Sequence, residues 1–223
     1  MNEGHGTLAG NGIMMKNIAA WFTAFFLMAW ASSAAEGPRA EVSGVIGVAT
    51  AQVPGGPEEP LRPGMPMVEG AILRTASRAA ADLHLGSELG VIRLTQNTMV
   101  TIEKLHSTNN SSEAYLHLQH GTILGNGAMI RTGSRYQIKT AVGIAAIANA
   151  AFRLHSEGYF VVVEGKAQFA HVPAGGEAQV HMLSAPPAVY FSPSEGVKEA
   201  PKPLVKEIVT QSKARLSTGK PPD

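Results

Sequence analysis

The chain has no cysteine, only two tryptophans and four tyrosines, and almost no charge imbalance, with 18 Lys and Arg against 17 Asp and Glu in 223 residues. Each shortage removes a class of function. Without cysteine there is no thiol nucleophile, no Cys-containing zinc site and no disulfide framework, so burial alone must hold the fold. A net charge of +1 lacks the basic stripe with which nucleic-acid binders neutralise phosphates. The longest basic cluster is the mild tail at residues 202–215. Neither a G-x-S-x-G elbow nor a G-x-x-x-x-G-K-[ST] loop occurs, which excludes those routes to a serine nucleophile and a phosphate cradle.

What the chain does have is 24 glycines and 14 prolines, spread along its length. That is the punctuation of many short strands joined by tight turns.

The first hydrophobic run reads as an address. Lys16 supplies a short positive region, residues 18–30 are apolar but for Thr23, and Ser33-Ala34-Ala35 offers small residues to a signal peptidase. Cleavage is expected after Ala34 or Ala35. The alternative is an uncleaved anchor over residues 18–35, although the apolar stretch is shorter than the ~20 residues that span a bilayer comfortably. No cysteine stands beside the cleavage site for lipid attachment, and translation starting at Met14 or Met15 would explain the patternless residues 1–13.

From Arg39 onward the hydrophobic period is two. Residues 42–48 read as a strand whose glycines, Gly44 and Gly47, imply a bulge or a close neighbouring backbone. Residues 54–60 read as a loop by composition. Residues 71–75 are a strand; then Ala79, Ala81, Leu83 and Leu85 alternate with Ala80, Asp82 and His84, which predicts one buried face and one wetter face. A hairpin closes at residues 86–90 and returns through 91–94. Val100 and Ile102 continue the pattern to about Leu105, ahead of a polar tip at 107–113 that includes Asn109-Asn110-Ser111. Ala114, Leu116 and Leu118 share the next inner face. Short strands follow at 121–124, 135–140, 151–155, 159–164 and 167–172, and Pro186-Pro187 leaves 188–191 as the last.

Only the tail changes period. Leu204, Val205, Ile208, Val209 and Leu216 recur at spacings near four, which predicts one amphipathic helix, docked on the sheet or free for a partner. Residues 70–78 and 127–135 share a short echo, Gly-Ala-x-x-Arg-Thr-x-Ser-Arg, a weak trace of duplication that shared turn chemistry explains equally well.

The search for chemistry returns little. Asp82 with His84, and His117 with Gln119, share strand faces, whereas His117 and His120 point to opposite faces. None of these supplies three converging metal ligands, and solvent-facing strand histidines are the plain alternative. His155-Ser156-Glu157-Gly158 reads as a hairpin tip. Glu58 and Glu59 are adjacent and point apart, unlike a glycosidase pair. Tyr115, Tyr136 and Tyr190 could stack on a sugar, or serve as packing residues with wet hydroxyls.

Three stretches together resemble the FecR family of periplasmic domains. The first is residues 61–75, Leu-Arg-Pro-Gly-Met-Pro-Met-Val-Glu-Gly-Ala-Ile-Leu-Arg-Thr, followed by the alternating strand at 77–85, the Gly90 turn, residues 91–94 and Asn97-Thr98 at the family's polar step. The second is residues 115–124. The third is Tyr136-Gln137-Ile138-Lys139-Thr140-Ala141-Val142 through Phe152, then Val161-Val162-Val163-Glu164-Gly165-Lys166-Ala167. The chain departs from the family at Ala148-Asn149-Ala150, where an Arg-Gly-Thr step is usual, and at Ala141, where a proline is. Asn149 can still adopt the left-handed backbone that the missing glycine would supply, and without the arginine this step of the fold is open to alteration. The resemblance implies an envelope interaction or sensing domain. With only residues 1–13 ahead of the hydrophobic run, a cytoplasmic anti-sigma half is not expected in this polypeptide.

These readings converge on an all-β domain of many short antiparallel strands, sandwich-like or a short solenoid, with a C-terminal amphipathic helix. Its expected organisation is leader at 1–35, β domain at 36–195, and helix and tail at 196–223. The expected role is a non-catalytic, exported, FecR-like interaction module with no metal or cofactor and no transmembrane span after cleavage. Its expected location is periplasmic or secreted, and its partner an envelope protein or a surface polysaccharide. The alternative role is a structural or glycan-binding component of the cell envelope or matrix.

Overall fold

The computed structural model describes residues 40–86, 89–108, 111–126 and 132–217, with side chains described to Gln211. The leader, Asn109 and Asn110 of the polar tip, and much of the second copy of the echo (127–131) lie outside them. In chain order the strands are β1 (Ala40–Ile46), β2 (Ala49–Gln52), β3 (Glu58–Pro60), β4 (Pro66–Met67), β5 (Ile72–Thr75), β6 (Ala80–His84), β7 (Val91–Leu94) and β8 (Thr98–Ser107). They continue as β9 (Ser112–His120), β10 (Thr122–Asn126), β11 (Arg135–Thr140), β12 (Gly143–His155), β13 (Phe160–His171), β14 (Gln179–Ala185), β15 (Val189–Ser192) and β16 (Gly196–Glu199), followed by the helix α1 (Lys202–Ser217).

All sixteen strands belong to one hydrogen-bonded sheet that curls on itself. One half runs β3-β2-β5-β8-β9-β11, then the first part of β12, the second part of β13, and β14. The other runs β4-β1-β6-β7-β10, then the second part of β12, the first part of β13, β15 and β16. The long strands β12 and β13 join the two halves into one sheet, and the chain passes from one half to the other repeatedly, first at the β1–β2 corner. Inward residues of both halves, among them Leu73, Ile102, Leu116 and Ile138 from the first and Val42, Ile92, Ile123 and Phe152 from the second, form one core.

The period-two reading places most inner faces correctly. Ala114, Leu116 and Leu118 are buried, as are Ala79, Ala81, Leu83 and Leu85. The predicted irregularity near Gly44 is a register shift between Val42 and Gly44. The polar step at Asn97-Thr98 is the crossing from β7 to β8. Asn97 has φ +51°, and the buried Thr98 exchanges hydrogen bonds with Thr122, accepting from its N–H at 3.1 Å and donating to its carbonyl at 3.2 Å.

Several expectations need correction. Residues 58–60 pair with β2 and are a strand, because a proline costs nothing on an edge where no donor is required. Residues 143–155 are a single strand, and so are 160–171; bulges let them run on where the sequence reads as interrupted. Asn149 is not left-handed: positive φ among the described non-glycine residues belongs to Arg78 and Asn97. The irregularity is carried across the ladder by Gly165, at φ +82°, where a Cβ would lie 1.6 Å from the Asn149 carbonyl oxygen. β14 and β16 are additional strands, so residues 188–191 are not the last. One pairing, β9 with β11, is parallel, because β10 departs to the other half and the chain returns beside β9 in the same direction.

Helix α1 docks, as its spacing allows. Ile208 is fully buried against Val161 and Ala200, with Leu204, Val205, Val163, Ala188 and Tyr190 around them. Arg153 reaches Glu207 at 3.2 Å. The helix thereby covers an outer face of the second half. Among the described residues no helix is long and apolar enough to cross a membrane.

Candidate binding groove

Among the described residues the first half has no such cover at its β11–β14 end. Strand register aligns outward side chains there in rows across the sheet. One row reads Tyr115, Gln137, Ala146, Gln168 and Met182; the next reads His117, Lys139, Ile144, Ala170 and Val180. The middle strand, β12, presents small side chains at Ala146 and Ala148, so its neighbours stand above it. The result is an open cleft of about 450 Å³, floored by Ala146, Ile147 and Ala148 and walled by Arg135 and Gln137 on one side and Lys166, Gln168 and Met182 on the other.

Two properties mark this surface. Its aliphatic residues are exposed: Ile144 by 42%, Val180 by 64% and Met182 by 62%. Scattered exposed aliphatics are ordinary, but adjacent ones on one face mark an interaction surface. Its cations are also uncompensated. Lys139 and Lys166 have no ion pair among the described residues, whereas Lys104, farther along the face, is committed to Glu113 and lies over the Tyr115 ring. The hydrogen bond from Lys104 holds the Glu113 carboxyl below its usual range, and the same bond raises the Lys104 ammonium. An apolar floor between amides and cations suits a ligand that is partly apolar and carries negative charge.

Most of the residues singled out in the sequence lie elsewhere and apart; Tyr115 and His117 stand at the β9 end of the rows. Asp82 is buried, not on a wetter face, because Arg93 takes both of its oxygens. His84 on the same face is exposed, and His117 sits 3.5 Å from Glu103. Among the described residues no three His, Asp or Glu side chains gather as a metal-holding group. Glu58 accepts from Thr50 and approaches Arg74 to 3.6 Å. His155-Ser156-Glu157-Gly158 is the β12–β13 hairpin tip. The three tyrosines form no platform. Tyr136 is in the core beside Phe152, Tyr115 lies on the β9 face, and Tyr190 is near the helix, where it donates to Glu195.

The groove carries no ligand-binding motif. The outward direction of its walls is readable from alternation, and its floor appears only as the alanine-rich run Ala145-Ala146-Ile147-Ala148-Asn149-Ala150-Ala151, whose meaning depends on which strands flank it.

No family model matches the chain, and no curated protein matches it. Among solved structures it is similar to the crystal structure of a "putative anti-sigma factor" from Parabacteroides distasonis ATCC 8503, at 15% sequence identity and a TM-score of 0.42. That match covers 57% of this chain and 59% of the other, so the chain spans less than two thirds of its neighbour's length.

Proposed function

We propose that the chain is an exported, non-catalytic interaction or sensing module of the bacterial envelope, FecR-like in type, and that it receives its partner on the β11–β14 groove. The observation that carries this reading is the open groove itself, with an alanine floor, exposed Ile144, Val180 and Met182 beside it, and the cations Lys139 and Lys166, which have no ion pair among the described residues. Such a surface fits an acidic, partly apolar segment of a protein. The leader-like residues 14–35 support export, and the ordered motifs at 61–75, 115–124 and 136–167 support the FecR-like type.

A second reading, a surface polysaccharide as ligand, is favoured by the row of Tyr115, Gln137 and Gln168, whose amides and phenol suit hydroxyl groups.

The test compares wild type with the double variant Lys139→Glu/Lys166→Glu in capture from envelope extracts at low and high salt. A stoichiometric protein held by the wild type, released by salt and lost with the variant supports the first reading. Equal capture of that protein by both forms overturns it. Co-sedimentation with purified wall polysaccharide, again lost in the variant, supports the second. Export is tested separately by sequencing the mature N-terminus, which should begin at Ala35 or Glu36.

A further inference from the structure

Among the described residues four strands have a single neighbour, namely β3, β4, β14 and β16. A strand edge offers unpaired N–H and C=O groups to any other strand, and proteins blunt such edges with proline, charge or brevity. Three of these four are blunted. β3 is Glu58-Glu59-Pro60, β4 is the two residues Pro66-Met67, and β16 is four residues ending in Lys198-Glu199. β14 is different. It runs for seven residues, Gln179-Val180-His181-Met182-Leu183-Ser184-Ala185, with no proline, no glycine and no Asp, Glu, Lys or Arg.

We infer that β14 is a self-association edge, on which the β14 of a second copy of this chain adds antiparallel about a two-fold axis at Met182. The strand's own sequence argues for that occupant. Centred on Met182, all seven residues find partners: Met182 faces its counterpart, Val180 faces Ser184, His181 faces Leu183 and Gln179 faces Ala185. No like charges are brought opposite each other, the usual penalty against self-pairing. Slipping the register by one residue to either side shortens the ladder. The inward residues Leu183 and Ala185 are already buried, so the added strand continues a core edge instead of needing a new one. A face-to-face dimer through the groove is disfavoured, because it would bring Lys139 and Lys166 of both copies together.

Edge pairing about an axis perpendicular to the sheet keeps both outer faces on the same side. The two grooves then lie side by side, with the exposed Val180 and Met182 of each copy at the seam. A partner with two acidic segments would gain avidity from that arrangement. This consequence rests on the proposed function; the dimer itself does not.

The test begins with sedimentation of the purified protein over a range of concentrations, without ligand. A monomer–dimer equilibrium is expected, and Met182→Lys should weaken it by at least about tenfold, since like charges set opposite each other oppose association. Met182 is exposed by 62%, so at concentrations where both forms are monomeric the variant's melting curve should match the wild type's. Register is read by single thiols, which the cysteine-free chain makes unambiguous. With copper phenanthroline and dissolved oxygen as oxidant, Met182→Cys should form a disulfide-linked dimer. Val180→Cys alone should not, whereas a mixture of Val180→Cys and Ser184→Cys should. Monomer at every concentration, a dimer indifferent to Met182→Lys, or self-linking of Val180→Cys would each overturn the inference. A dimer that persists in Lys139→Glu/Lys166→Glu while partner capture is unchanged sinks the groove reading alone.

Discussion

Asp82 and Arg93 stand directly opposite each other on β6 and β7 and are joined by two hydrogen bonds of 2.7 Å, Nε to Oδ1 and Nη2 to Oδ2. Both side chains are largely withdrawn from water, exposed by 9% and 13% respectively. The Asp82 carboxylate raises the Arg93 guanidinium above its ordinary value, although burial opposes it. Removing one partner therefore strands a charge. Asp82→Ala is expected to lower stability by about 3 kcal/mol, the cost of an uncompensated buried ion. Replacing both, as Asp82→Leu/Arg93→Met, should cost less than the single change. Urea unfolding of the three forms checks both statements.

Two glycines separate backbone strain from collision. Gly165 and Gly175 both have positive φ, +82° and +73°, but a Cβ at Gly165 meets Asn149 backbone, whereas one at Gly175 meets nothing within 4 Å. Gly175→Ala should cost about 1–2 kcal/mol, the left-handed penalty alone. Gly165→Ala should cost about 4 kcal/mol or more, because the β12–β13 ladder must part to admit the methyl group. Equal melting temperatures for the two variants would contradict the close approach.

Ile208 anchors α1 in a cluster separate from the main core. Ile208→Asp places a charge where no water reaches, so the helix is expected to leave the sheet. The β body should remain folded, since its own core is untouched. Limited proteolysis should then cut within residues 202–217 while the strand signature in circular dichroism persists. Loss of that signature would show that the helix is required for the sheet.

The Lys104–Glu113 pair fixes the sign of a pH effect. Glu113 titrates below its ordinary value, so its contribution is present above that value and is lost as pH falls through the depressed one. Lys104 titrates above its ordinary value, so its contribution is present below that value and is lost as pH rises through the raised one. The pair should therefore support β8–β9 across neutral pH and fail at both extremes. Carboxyl titration by NMR should move the Glu113 midpoint back up in Lys104→Met. The effect on global stability should be small, because the pair is on the surface.

The groove shows where sequence reading stops. Arg135, Gln137, Lys139, Lys166 and Gln168 alternate visibly with apolar residues, so their outward direction is readable. That they converge over Ala146 and Ala148 is not, because β11 and β13 flank β12 only through pairings between distant segments. Asp82 misleads for the same reason. Alternation places it opposite the buried leucines and so predicts a wet position, but Arg93 across the ladder turns that position into a buried ion pair.

By itself, the sequence determined the strand class, most inner and outer faces, the tail helix and the need for burial without disulfides. All of these follow from local periodicity and composition. Tertiary structure alone decided that β12 and β13 are continuous strands spanning both halves, that Gly165 rather than Asn149 takes the left-handed turn, and that α1 covers one outer face while, among the described residues, another stays open. It also decided that, among the described residues, β14 ends the sheet without a guard. A strand's period is written in neighbouring residues, but its partner is chosen by a global competition for hydrogen bonds and core contacts, and edges and grooves exist only once that competition is settled.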